Sequence, residues 1–152
     1  MRNRQQPLKT FAGLVKALDW YDVSLQTILE ELGLEPVNRT QSMILTHIAS
    51  GVTRPTDIAR EMGTTRQNIH AMARLLVDRK VLKLVPDQND KRSKQYAFSE
   101  DAMELRDTVL RVLSWLDKKL ADRIGPETMA EMQRALTADW GDYITEPPAR
   151  LK

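Results

Sequence analysis

The sequence has no cysteine, which excludes a disulfide framework, a thiolate zinc site and a thiol redox switch. Histidine is nearly as scarce. His47 and His70 stand far apart with no dense carboxylate cluster between them, so no metal centre is expected and His47 reads as an ordinary helix residue. No apolar run approaches the ~18–20 residues of a membrane span. The opening stretch MRNRQQPLKTFAGLVKALDW is interrupted by Lys9, Lys16 and Asp19, which argues against a secretory leader and makes the cytoplasm the expected compartment. Catalytic signatures are missing: there is no P-loop, no GxSxG and no HExxH, so neither an enzyme nor a cofactor is expected. A dominant charge is lacking too. Lys plus Arg number 23 and Asp plus Glu 21, a net of +2, so only the distribution of charge can point to a polyanionic partner.

What is present suits one domain of roughly 150 residues. The 152 residues are 41% hydrophobic and 29% charged, a balance that favours a folded core over disorder. From Leu8 to Leu34, apolar residues fall at Leu8, Phe11, Val15, Leu18, Leu25, Leu29 and Leu32, a heptad-like rhythm in which Asp22 takes the skipped seat. Gly33 and Pro36 end this first helix. A short second helix spans about Arg39 to Ser50, with Ile44, Leu45 and Ile48 inward and Gly51 as its stop. Pro55 opens a third, to Met62, and Gly63 closes it.

Thr64 or Thr65 caps a fourth helix reaching about Asp78. Its apolar face is Ile69, Met72, Leu75 and Leu76; the opposite face carries Arg66, Gln67, His70, Ala71 and Arg74, with no acid until Asp78. Two strand signals follow, Val81–Pro86 and Lys94–Ser99, joined by the polar tip DQNDKRS. Ser99 then caps a long helix to about Ile124, with Ala102, Leu105, Val109, Val112, Leu116 and Leu120 along one seam. Gly125-Pro126 starts a last helix with Met129, Met132, Leu136, Trp140 and Tyr143 on one side.

The second, third and fourth helices, the fourth bearing a cationic outer face, then strand, basic tip and strand, make a winged helix-turn-helix. The expected fold is mainly α (α+β by strict count): a single domain over 1–152, a winged unit over 36–99 with a two-stranded wing, and long flanking helices over 8–34 and 100–145. The stretch Thr53 to Glu104 also resembles the DNA-binding core of MarR-type transcriptional regulators. Two places carry the likeness: the D-x-x-D-x-R wing signature at Asp87, Asp90 and Arg92, and the turn into the recognition helix at Ile58, Ala59, Met62 and Gly63. The resemblance implies a homodimer joined through the terminal helices, a recognition helix in each major groove and a wing reaching each minor groove. It also permits an effector pocket for a small aromatic acid. Trp20 and Tyr21 are open to two readings, pocket wall or interface packing, as are Trp115 and Trp140. In two places the chain departs from the family pattern: Lys80 stands where Gly is usual, and Leu84 where a basic residue is common.

The charges support the same reading without the family. Residues 54–94 hold ten basic and five acidic residues, a net of +5; residues 100–146 hold six basic and eleven acidic, a net of −5. One end attracts phosphate and the other repels it. Arg66, Gln67, His70 and Arg74 are the expected major-groove residues, since Arg matches guanine O6/N7 and Gln matches adenine N6/N7. Arg92 is the minor-groove candidate. Arg54, Thr56, Thr65, Lys91 and Lys94 are expected at phosphates, while Asp87 and Asp90 shape the wing, Asp90 by orienting a basic neighbour. The two long apolar seams would be about as long as a compact domain of this size is wide, which favours a partner chain over a monomer core and suits a palindromic double-stranded operator. The function expected is a dimeric, ligand-responsive repressor; the alternative is a winged-helix protein-interaction module.

Overall fold

The computed structural model describes residues 8–151. The first seven residues of the opening stretch, and so part of the leader reading and of the 1–152 domain span, lie outside the described residues. The described residues form six α-helices: α1 (Lys9–Glu31), α2 (Arg39–Ala49), α3 (Pro55–Glu61), α4 (Arg66–Asp78), α5 (Met103–Ile124) and α6 (Pro126–Thr137). Between α4 and α5 lie β1 (Leu82–Pro86) and β2 (Lys94–Phe98), antiparallel, with Leu82 opposite Phe98 and Leu84 opposite Tyr96. The chain forms two compact units, residues up to 116 and residues from 117 onward, the boundary falling inside α5.

The main core of the first unit joins α2, α3, α4 and the wing. Ile44, Ile58, Ile69, Ala73 and Leu76 are fully buried, with Leu82 and Tyr96 closing the cluster from the strands. Each large side chain so buried contributes about 1.5–3 kcal/mol. The buried row of α4 is Ile69, Ala73 and Leu76, at spacings of four and three. Leu75, expected on the inner face, is 50% exposed, because it lies a full helical step away from that row. Met72 is half-buried at its margin.

A second cluster pairs α1 with α5 through Leu25, Leu29, Val112 and Leu116, with Trp20 and Tyr21 packed on it, their rings edge to face at 5.0 Å. The skipped seat in the α1 seam is a buried acid. Asp22 accepts from Arg39 Nε at 2.5 Å and from Ser42 Oγ at 2.8 Å, tying α1 to α2. The Arg39 bond to Asp22, and then a second to Asp19 Oδ1 at 2.8 Å, raise the pKa of Arg39 above its ordinary value. Toward the start of α1 the seam emerges: Phe11, Val15 and Leu18 are exposed.

The first four helices end alike. In each, the residue after the cap takes a left-handed backbone, its N–H bonds back into the last turn, and the next N–H reaches one carbonyl further in. Glycine fills that position after α1, α2 and α3. After α4 it is Lys80, at φ 57°. Lys80 N–H donates to Val77 O and Val81 N–H to Leu76 O, both at 2.9 Å, so the turn keeps its geometry and the lysine adopts the strained conformation.

The second unit corrects the reading of the C-terminal helix. It stops at Thr137, not near 145, because Ala138 is extended and Asp139 Oδ1 captures the N–H of Gly141, itself at φ 74°. Trp140 folds back so that its Nε1–H donates to Ala135 O at 2.7 Å, which takes Trp140 and Tyr143 off the helical stripe with Met129 and Met132.

Candidate nucleic-acid interface

The candidate surface begins at the turn into α4. Thr65 caps the helix, its Oγ1 accepting from Asn68 N–H at 3.1 Å, which leaves its own hydroxyl hydrogen free to point outward. Arg66, Gln67 and Arg74 are exposed on the outer face. His70 lies on the same face but is partly buried. Its Nδ1 lies 2.8 Å from the Tyr96 hydroxyl, and its Nε2 accepts from Arg66 Nε at 3.4 Å. Burial first, and then the Arg66 charge, lower the His70 pKa from its ordinary value, which favours the neutral ring. Burial also raises that of Tyr96.

Thr56 is exposed on the first turn of α3, and Arg54 immediately precedes that helix. Arg54 Nε donates to Asp87, which is buried where β1 enters the wing loop, while the other Asp87 oxygen accepts from Asn89 N–H at 2.9 Å. The Arg54 guanidinium holds the Asp87 carboxyl below the usual carboxylate range, and Asp87 in turn raises Arg54. Arg54 therefore has one face on the wing and part of its side chain in solvent. Sequence spacing gave no sign of this pair, since its members lie on opposite sides of α4.

At the wing tip, Asp90 Oδ1 accepts the backbone N–H of Arg92 at 3.0 Å, and Asp90 O accepts from Ser93 N–H at 3.0 Å. Asp90 thus orients its basic neighbour through the backbone. Lys91, Arg92 and Lys94 are exposed around this turn. Strand β2 is fastened to the body beside α3, where Tyr96 N–H donates to Thr53 O at 2.9 Å and Thr53 Oγ1 to Gln95 Oε1 at 2.8 Å. Tyr96, and the linker residue Thr53, are site-shaping residues that composition and periodicity did not mark.

Ion pairing sorts the cations. Of the ten basic residues in 54–94, Arg54, Arg60, Arg79 and Lys83 pair with Asp87, Asp57, Glu35 and Glu100. Arg66, Arg74, Lys80, Lys91, Arg92 and Lys94 make no ion pair among the described residues. Most of these uncommitted charges lie on the outer face of α4 or around the wing tip. Among the described residues no group of His, Asp or Glu is arranged to hold a metal ion, and no helix is long and apolar enough to cross a membrane.

A cavity of about 320 Å³ lies elsewhere in the first unit, lined by residues of α1, α2 and α5 and by Phe98. Its walls are mostly apolar, with Leu29, Leu45, Leu105 and Leu113 among them. Arg106 sits over the Phe98 ring at 5.0 Å, and Arg79 is held by Glu35. Trp20 and Tyr21 do not line this cavity.

Residues 32–93 match the family model described as the MarR family. No curated protein matches the chain. Among solved structures, a MarR-family transcriptional regulator from Rhodococcus sp. RHA1 is 17% identical, with TM-score 0.63, over 88% of this chain and 95% of that one. Wild-type MarR from E. coli is 15% identical, TM-score 0.62, over 84% and 96%. A mutant of S. aureus MepR bound to an oligodeoxyribonucleotide is 18% identical, TM-score 0.51, over 84% and 93%. At these identities the likeness is one of fold.

Proposed function

We propose that this chain, a MarR-type winged helix-turn-helix protein and not an enzyme, is a sequence-specific double-stranded DNA-binding transcriptional regulator of the cytoplasm. The observation that carries this reading is the placement of five unpaired cations on the outer face of α4 and around the wing tip, while the other basic residues of the same segment, Lys80 apart, are held in ion pairs. Arg66, Gln67 and Arg74, with His70 on the same face, meet base edges in the major groove. Arg92 enters the minor groove, its backbone fixed by Asp90. Lys91, Lys94, Thr56, Thr65 and the solvent side of Arg54 hold phosphates and set the register.

The regulator acts as a homodimer on a palindromic operator, with residues 36–99 on the DNA and the flanking segments 8–34 and 100–145, which carry α1, α5 and α6, joining two copies. Support comes from Phe11, Val15 and Leu18 on α1, apolar at helical spacing and exposed in the single chain. A solution mass of twice the chain mass supports this pairing; the mass of one chain contradicts it. The regulator is a repressor released by a small acid. The cavity reaching 320 Å³ is of small-ligand size, and Arg106 offers it a cation.

Selection from random duplexes tests the central reading. The expected result is a recovered inverted repeat with half-sites about one helical turn apart. Failure to enrich any duplex, with retention on a protein partner, supports the interaction-module alternative.

A further inference from the structure

We infer that His70 is a positioning residue: its two ring nitrogens tie the Arg66 guanidinium, at the start of α4, to the Tyr96 hydroxyl on β2, so that base reading by Arg66 and the seating of the wing depend on each other. The inference rests on the DNA reading above and deepens it.

The proton inventory fixes the direction of the relay. An arginine is always protonated and donates only, so the Nε2 that faces Arg66 Nε must be bare. A neutral imidazole then carries its single hydrogen on Nδ1, which donates to Tyr96 Oη at 2.8 Å. Tyr96 cannot drift to accommodate a moving ring. It is 2% exposed, it sits opposite Leu84 in the ladder, and its N–H is bonded to Thr53 O. The spacing of four residues places Arg66 over His70 on the helix surface. With Nε committed to the ring, the terminal nitrogens of Arg66 are left to face a base, and a long side chain held before binding loses less freedom on binding. Among the described residues no hydrogen bond joins Arg66 to Tyr96 directly, and the imidazole is the hydrogen-bonded link between them.

The test is a double-mutant cycle on a duplex first recovered with the wild-type protein. Dissociation constants are measured for wild type, Arg66→Ala, Tyr96→Phe and the double variant, and for the same set on a His70→Ala background. Tyr96→Phe keeps the ring and its packing, yet weakens specific binding by about two- to tenfold, the range of one hydrogen bond. The two losses combine to less than their product when His70 is present and multiply when it is absent. Losses that multiply with His70 present overturn the inference. Nitrogen-15 NMR of the free wild-type protein gives a second readout that needs no DNA. The Nδ1–H tautomer is expected for His70, shifting toward Nε2–H in Tyr96→Phe; Nε2–H in the wild type overturns the relay. Failure to recover any duplex while the Nδ1–H tautomer is observed overturns the DNA reading, and with it the coupling to base recognition, but leaves the relay geometry standing.

Discussion

Arg54 Nε–H donates to Asp87, from the residue preceding α3 to the buried carboxylate at which β1 enters the wing loop. With Asn89 N–H on its other oxygen, Asp87 joins its own turn and the segment before α3 at one carboxylate. The loop end of the wing is therefore held to the body by a charge as well as by its ladder.

The pair predicts a pH dependence. The Arg54 guanidinium, then the Asn89 N–H, hold the folded-state pKa of Asp87 below its ordinary 3.8, so the ionised form favours the fold. That stabilisation is complete above the ordinary value and is lost as pH falls through the lowered one. Asp87→Asn is expected to be less stable than wild type at about pH 7, with the gap closing toward about pH 3, in urea unfolding at each pH. A gap of the same size at both would show that the charge contributes nothing.

Lys80 predicts a gain. It takes a left-handed backbone where the three preceding helices use glycine. Relief of about 1–2 kcal/mol of strain, less the entropy that glycine adds to the unfolded chain, leaves Lys80→Gly more stable by about 0.5–1 kcal/mol. Lys80→Ala keeps the Cβ and gains nothing. Thermal melts of the three proteins decide it, and a Lys80→Gly protein that melts lower contradicts the reading.

Gln67 and Arg92 predict two different losses on DNA. Gln67→Ala relaxes preference at one base step per half-site, by about 1–3 kcal/mol of discrimination, in a repeat selection. Arg92→Ala weakens binding most where the flanks are A·T-rich. An equal loss from Arg92→Ala on every flank would place that side chain on phosphate alone.

Much of this architecture can be read from local chemistry. Pro55, Gly63 and Thr65 mark the turn into α4, and the branched and aromatic runs on either side of DQNDKRS mark the wing, because caps, turns and strands are signalled by neighbouring residues. Partners distant in the chain are not. Asp22 looked like a gap in an apolar seam and is a buried acid that holds Arg39 and Ser42 of the next helix. Arg54 looked like a free cation, and His70 like a free polar residue; both have a fixed partner in the wing. The last helix was read too long because its apolar spacing continues into Trp140 and Tyr143, while the Asp139–Gly141 turn breaks the backbone first.

The central claim is that unpaired cations of α4 and the wing tip meet a double helix. A salt titration of binding to the selected duplex tests it most directly. The logarithm of the binding constant should fall linearly with that of the salt concentration, by about 0.9 per phosphate neutralised, and Lys91→Ala or Lys94→Ala should each lower the slope by about 1 per chain. A flat salt dependence, or a slope that neither substitution changes, contradicts the account.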